Sequence, residues 1–270
     1  MEGTTQGDPV AMAMYALGLS VLQDVISYEK THVKQVAYAD DLTGAGKITD
    51  LKKWWTLVND NGPIIGYTSN ATKSVLIVKP EYYDNGVQLF NGSGVIVTKD
   101  GQRHLGAVIG TEEFKVKYVG EKVSEWVKEV DVLFDMAKTE PHAAYSAFTH
   151  GLQHRWSFVK RTIPGINLLL RPLENSIRNT FLAALLRSHY IGDNERALLT
   201  LPPRLGGMEI TSPERLADEE NLNTINLTSS LTEKIIAQDA NGETDQNAIL
   251  EVKKPFLETG KVHKWKAWNT

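Results

Sequence analysis

Apolar side chains crowd residues 10–22, where Val10, Ala11, Met12, Ala13, Met14, Ala16, Leu17, Leu19, Val21 and Leu22 predict a largely apolar helix. Asp8 and Pro9 mark its start, since aspartate caps free N–H groups and proline has the helical φ and no N–H to leave unpaired. A short β-type run at 33–37 leads into Tyr38-Ala39-Asp40-Asp41 and then Leu42-Thr43-Gly44-Ala45-Gly46, which predicts a hairpin with its acids at the turn. Thr49 is placed to cap a helix bearing Leu51, Trp54, Trp55 and Val58, interrupted at Asn61-Gly62-Pro63. Residues 75–79 read as a strand. Val95-Ile96-Val97 and His104-Leu105-Gly106 flank Lys99-Asp100-Gly101, whose Asp-Gly predicts a hairpin turn.

From about residue 116 the pattern turns helical, with Val123, Val127, Val130, Leu133, Phe134 and Ala137 on one face. A second helical run, about 143–163, ends before Pro164-Gly165, and a third covers about 168–186. Pro202-Pro203-Arg204-Leu205-Gly206-Gly207 marks a boundary before a final helical segment. Residues 238–247 read as a polar linker, followed by a frayed, lysine-bearing tail.

The 270 residues suffice for a substantial core, and 41% hydrophobic with 23% charged residues is an ordinary globular balance. With no cysteine there are no disulfides and no thiolate metal site, which fits a reducing intracellular compartment, cytoplasm or nucleus. The apolar run at 10–22 is too short to span a bilayer, and no membrane partner is expected. Glu2 and Asp8, with no basic residue before the run, are unlike a signal peptide. The net charge of −4 is unevenly spread: residues 115–204 carry 13 basic against 9 acidic side chains. Within 150–190 the basic residues are Arg155, Lys160, Arg161, Arg171, Arg178 and Arg187, against Glu174 alone.

Asp40 and Asp41 hold two negative charges side by side, which costs free energy unless a cation neutralises them. As residues alone they read either as a solvated turn or as a cation site. Gly7 leaves its loop free to approach a ligand closely. His150 and His154 lie four apart, but a zinc-protease helix would place glutamate beside the first, and residue 151 is glycine, so no zinc is expected. Trp156, Phe158, Phe181 and Tyr190 read as core at helical spacing, with base stacking the alternative.

In order and spacing these pieces resemble the reverse transcriptases, particularly those of retrotransposons lacking long terminal repeats and their group II intron relatives. Gln6-Gly7-Asp8-Pro9 is similar to the family's template and nucleotide loop, and Tyr38-Ala39-Asp40-Asp41 to its metal-binding hairpin. The stretch from Gly66 to Ser74 resembles the next palm motif, and His104-Leu105-Gly106-Ala107 the primer-grip hairpin. The resemblance implies an α+β fold: a partial polymerase palm, an antiparallel sheet with packed helices, over 1–114, then a helical thumb-like region over 115–204. A C-terminal helical segment and polar tail would fill 205–270.

It further implies that Asp40 and Asp41 hold Mg2+ or Mn2+, with Asp40 the more direct ligand. Tyr38 would face the core and Ala39 the primer end, beside the nucleotide. Gln6 and Gly7 would meet the template or incoming nucleotide, and Leu105 and Gly106 the primer. Lys73 would protonate departing pyrophosphate, its bland reading being an exposed lysine before a strand. Arg155, Lys160 and Arg161 would lie along nucleic-acid backbone on a helix surface. The implied partners are an RNA template, a DNA primer, their hybrid and deoxynucleoside triphosphates.

In the family a further aspartate, needed to hold two ions about 4 Å apart, sits on a strand well before the Gln-Gly-Asp-Pro loop. Here Met1 lies five residues before Gln6. Asp8 is a poor substitute, because a capping carboxylate is already engaged by backbone. The expectation is therefore a C-terminal portion of an RNA-directed DNA polymerase, inactive alone. The alternative is a remnant that binds nucleic acid or an intact polymerase.

Overall fold

Asp8 accepts the Val10 N–H at 2.9 Å through its carboxylate and the Ala11 N–H at 3.1 Å through its carbonyl. In this computed structural model, which describes residues 8, 10–29 and 31–239, the chain thereby enters α1 (Ala11–Tyr28). The described residues form two compact units. One comprises those through Asp100 together with Leu231 onward; the other is Gly101–Ser230.

In the first unit, Leu19, Leu22 and Ile26 of α1 follow i, i+3, i+7 spacing and face Trp54 and Val58 of α2 (Ile48–Asn61). The hairpin of β1 (Lys34–Tyr38) and β2 (Asp41–Ala45) completes this core through Val33, Ala37 and Leu42. Gly44 lets this contact be close, because a Cβ would stand 3.2 Å from the Trp54 ring and 3.1 Å from Val33, tighter than ordinary packing. Gln35, in the middle of β1, ties the unit together. Its side-chain oxygen accepts the Trp54 Nε1–H at 3.2 Å, and its amide nitrogen donates to the Gln23 carbonyl at 2.9 Å and Ser27 Oγ at 3.0 Å. Its backbone N–H and carbonyl pair with the carboxamide of Gln238 at 2.9 and 3.0 Å, so a side chain occupies the outer edge of β1 where a strand would otherwise add.

Beyond the break that Gly62 and Pro63 make after α2, β3 (Val75–Ile77) pairs in parallel with β4 (Ile96–Thr98). A parallel pair needs a crossover, and α3 (Tyr83–Leu89) supplies it. At Gly86 of α3 a Cβ would come within 3.2 Å of Val97, so the glycine sets how closely this helix approaches β4.

The second unit begins with the antiparallel hairpin β5 (Gly101–His104) and β6 (Ala107–Gly110). Thr111 then accepts the Phe114 N–H at 3.3 Å and starts α4 (Glu112–Thr139). Val119, Val123, Trp126 and Val130 form its buried stripe. They meet α5 (Pro141–His150), α6 (Ser157–Thr162) and α7 (Arg171–Ser176) around Phe148, Trp156, Leu173 and Phe181. Phe148 stacks on Phe181 with ring centroids 4.7 Å apart and lies 6.0 Å from Trp156. A π-helical turn (Ile177–Leu182) links α7 to the short α8 (Ala183–Leu185). Next come α9 (Asp193–Leu199) and α10 (Pro213–Ala237). Arg196 of α9, inside the core, holds Glu174 of α7 through two bonds of 2.6 and 3.0 Å, and donates to the carbonyls of Ile210 and Thr211 at 2.7 and 3.1 Å.

Mixed helix and small sheets make the fold α+β in the broad sense. Several finer expectations change. The expected single antiparallel sheet is, among the described residues, three separate strand pairs, one of them parallel. Asp100-Gly101 is not a hairpin turn: Gly101 opens β5 opposite Gly110, and the reversal falls at Leu105-Gly106, whose φ values of 48° and 84° are the two positive angles a tight two-residue turn requires. Thr49 does not cap α2, which begins at Ile48 after Lys47. The expected helix over 143–163 breaks at Gly151, where a Cβ would lie 2.8 Å from the Ala147 carbonyl. The two compact units divide after Asp100, and the β5–β6 hairpin packs on the helices that follow it. The apolar run at 10–22 extends to Tyr28, giving a helix long and apolar enough to cross a membrane by length and composition, although its inward residues pack on α2. Of the linker expected over 238–247, residues 238 and 239 are described and Gln238 is held by Gln35, while the rest of it and the tail lie outside the described residues.

Removing one partner of a buried pair strands the other charge, whereas exposed pairs contribute little. Glu174→Ala is expected to lower stability by about 3–5 kcal/mol in urea melts. Asp135→Ala, which breaks the exposed contact to Lys138 at 2.7 Å, should cost less than about 1 kcal/mol.

Candidate functional site

Along β1 the side chains alternate, with Gln35 and Ala37 inward and Lys34, Val36 and Tyr38 outward. Tyr38 pairs across the hairpin with Asp41, leaving Ala39 and Asp40 as the apex. The turn is tight enough that Ala39 adopts φ +53°, a left-handed conformation uncommon for a residue with a Cβ. Both carboxylates are exposed. Tyr38 is 67% exposed and does not face the core, because the period-two alternation gives the inward positions to Ala37 and Ala39.

Beside the apex lies a cavity of about 180 Å³ lined by Met12, Tyr15, Ala16, Leu19, Gln23, Ala37 and Ala39. The three alanines leave this space; larger side chains at 37 or 39 would fill it. Two tyrosines lie in the field of the acids. Tyr15 holds its proton above the usual tyrosine range through burial, then through the negative charges of Asp40 and Asp41. Tyr67 is raised by burial first, then by Tyr15 and the same two acids. Neither tyrosine follows from the paired-acid pattern. The available signal was that Tyr15 is the one polar-tipped side chain from residue 10 to 19, and that Tyr67 sits in a motif already noted.

Other expected residues are placed as follows. Gln6 and Gly7 lie outside the described residues. Lys73 is exposed at the end of a 3₁₀ turn (Ala71–Lys73) before β3, and among the described residues it makes no ion pair with Asp40 or Asp41. In the second unit, Leu105 and Gly106 form the β5–β6 turn. Tyr118 donates to the Gly106 carbonyl at 3.1 Å, and the Phe158 ring lies 3.0 Å from where a Gly106 Cβ would be, so the position demands glycine for both space and φ.

The basic segment is largely neutralised from elsewhere in its own unit. Lys160 is not on a surface: it is 2% exposed and bonds Glu220 at 2.6 Å. Arg161 is 3.8 Å from the other oxygen of Glu220, and Arg155 is 2.5 Å from Glu129. Arg171 pairs with Glu214 at 2.9 Å and Arg178 with Asp193 at 2.7 Å. These acids all lie outside 150–190, so a local charge count could not include them. Of the four aromatics, Trp156 and Phe181 are core, while Phe158 and Tyr190 are exposed. His150 Nδ1 is 2.9 Å from Thr149 Oγ1, and no group of three or more potential metal ligands occurs among the described residues.

Comparison with protein families, curated proteins and solved structures finds none that matches this chain.

Because Tyr15 and Tyr67 bind their protons more tightly folded than unfolded, the stability they contribute is present below about pH 10 and is lost as pH rises through their folded titration. Phenolate absorbance should show two tyrosines titrating above the usual tyrosine range. Asp40→Asn with Asp41→Asn should bring both titrations down toward, but not onto, the ordinary range, since burial remains. Unchanged midpoints in the double variant would separate the tyrosines from the acids.

Proposed function

We propose that this chain is part of an RNA-directed DNA polymerase of the reverse-transcriptase kind. In this reading Asp40 and Asp41 form one side of a divalent-cation site, and residues 101–230 carry template–primer hybrid. The observation that carries the proposal is the apex of the β1–β2 hairpin: two adjacent, exposed carboxylates on a strained turn, with a small-residue recess at Ala39. The four motifs in order through residue 110, among them a Leu105-Gly106 step that forms a tight turn, support it.

The donor set fits a hard cation that keeps part of its water shell, since two carboxylates supply oxygens and leave positions for substrate phosphates. Bound there, Mg2+ or Mn2+ supplies activation of a primer hydroxyl and neutralisation of triphosphate charge. The protein's own part is to hold the carboxylates at a fixed turn and to leave room at residue 39. Among the described residues no third acid gathers at the hairpin. We therefore propose weak cation binding and no nucleotide transfer by this chain alone.

A second reading, a module that binds nucleic acid or an intact polymerase without catalysis, is favoured by α1. Val10, Met14, Leu17, Val21 and Tyr28 leave an apolar stripe of that helix in solvent, and such stripes are surfaces for another polypeptide.

Mn2+ titration followed by electron paramagnetic resonance tests the site. Wild type should bind, and Asp40→Asn with Asp41→Asn should weaken binding roughly tenfold or more. Equal affinity in the two proteins removes the cation site. Templated nucleotide addition should be undetectable; addition that Asp40→Asn abolishes would support the site and refute the inactivity.

A further inference from the structure

Phe158 stands apart from the other large aromatics around it. Trp126, Phe148, Trp156 and Phe181 are buried, whereas Phe158 is 49% exposed. One edge of its ring is seated against the backbone of Gly106, in a turn that the Tyr118 hydroxyl also holds. Leu105 at the same turn is exposed as well, so an aromatic ring and an aliphatic side chain flank the tip of the hairpin in solvent.

On the Phe158 side, Arg155 lies three residues before and Arg161 three residues after. Both side chains are more than half exposed. Among the described residues each guanidinium has one acid within ion-pair distance. Arg155 reaches Glu129 through a single nitrogen, and Arg161 approaches Glu220 at 3.8 Å, too far for a hydrogen bond. Among the described residues the second oxygens of Glu129 and Glu220 are buried without hydrogen-bond partners, so neither acid grips an arginine there in the two-pronged fork that would use up its donors. Each arginine keeps N–H groups for a phosphate.

We infer that Phe158, with Leu105 beside it, is a ledge on which one unstacked base of a bound nucleic-acid strand rests, with Arg155 and Arg161 taking the flanking phosphates. An exposed ring between two cations is the arrangement single strands use, because any base offers a π-face and every nucleotide a phosphate. The inference rests on the proposed nucleic-acid reading of residues 101–230 and selects Phe158 from the four aromatics for which base stacking was the alternative to core. Lys160, expected on this surface, takes no part, since Glu220 holds it inside.

The test is fluorescence anisotropy of a labelled RNA–DNA hybrid with a short single-stranded overhang, titrated with the full chain at several salt concentrations. Phe158→Ala should weaken binding about 5- to 100-fold with the salt slope unchanged. Phe158→Trp should restore it, and circular dichroism should show both variants folded. Arg161→Glu should weaken binding and lower the salt slope by about one. A folded Phe158→Ala that binds as wild type overturns the ledge; if Arg161→Glu is still impaired, the nucleic-acid reading survives without it. Wild type that does not bind overturns both. If Phe158→Ala changes only self-association, measured by sedimentation, the ring is a protein contact and the ledge is refuted.

Discussion

Gln35 is the residue on which the placement of the acidic hairpin depends. A carboxamide with its backbone N–H and carbonyl can satisfy several directions at once, and here each is used: α1 through Gln23 and Ser27, α2 through Trp54, and the outer strand edge through Gln238. Each bond contributes only about 1 kcal/mol net, but a half-buried amide left unpaired costs more than that. The register of β1 is therefore fixed from the polar side as well as by its apolar neighbours. With Gln35 inward, period two sends Ala37 and Ala39 inward as well. The alanines leave the recess against Met12 and Tyr15, and the turn that follows must expose Asp40. A one-residue slip would turn all of this inside out.

The second unit is organised by the opposite kind of group. Glu174 and Arg196 are ionised side chains taken into the core, tolerable because the guanidinium donates to two carbonyls as well as to both carboxylate oxygens. Lys160 repeats the device less completely with Glu220. Positive residues that look like a surface stripe in the sequence are thus partly internal struts. What they leave for solvent is a narrower feature: two arginines on either side of one exposed ring.

The parts legible from sequence were those set by neighbours along the chain. Asp8 before an apolar run, a short β-type run ending in Asp-Asp, and Thr111 and Pro141 at helix starts are local signals, though only the first two were read as such. The choice between Asp100-Gly101 and Leu105-Gly106 as the turn was misread because Asp-Gly is the stronger dipeptide preference. The deciding factor was tertiary: Tyr118 and Phe158 grip the later turn. The parallel β3–β4 pair needed knowledge of a crossover helix whose period is short and weak. The fate of the basic residues was unreadable for another reason, since Arg155 finds its acid 26 positions away and Lys160 finds its acid 60 away.

The contact between Gln35 and Gln238 joins residues 203 positions apart, so the first unit is built from both ends of the described chain. Among the described residues the second unit is one stretch, Gly101 to Ser230. During synthesis the hairpin bearing Asp40 and Asp41 waits with one strand edge open until the end of α10 has been made. The edge of the strand that leads to the acidic turn is thus open to other strand partners while the 203 positions between Gln35 and Gln238 are made.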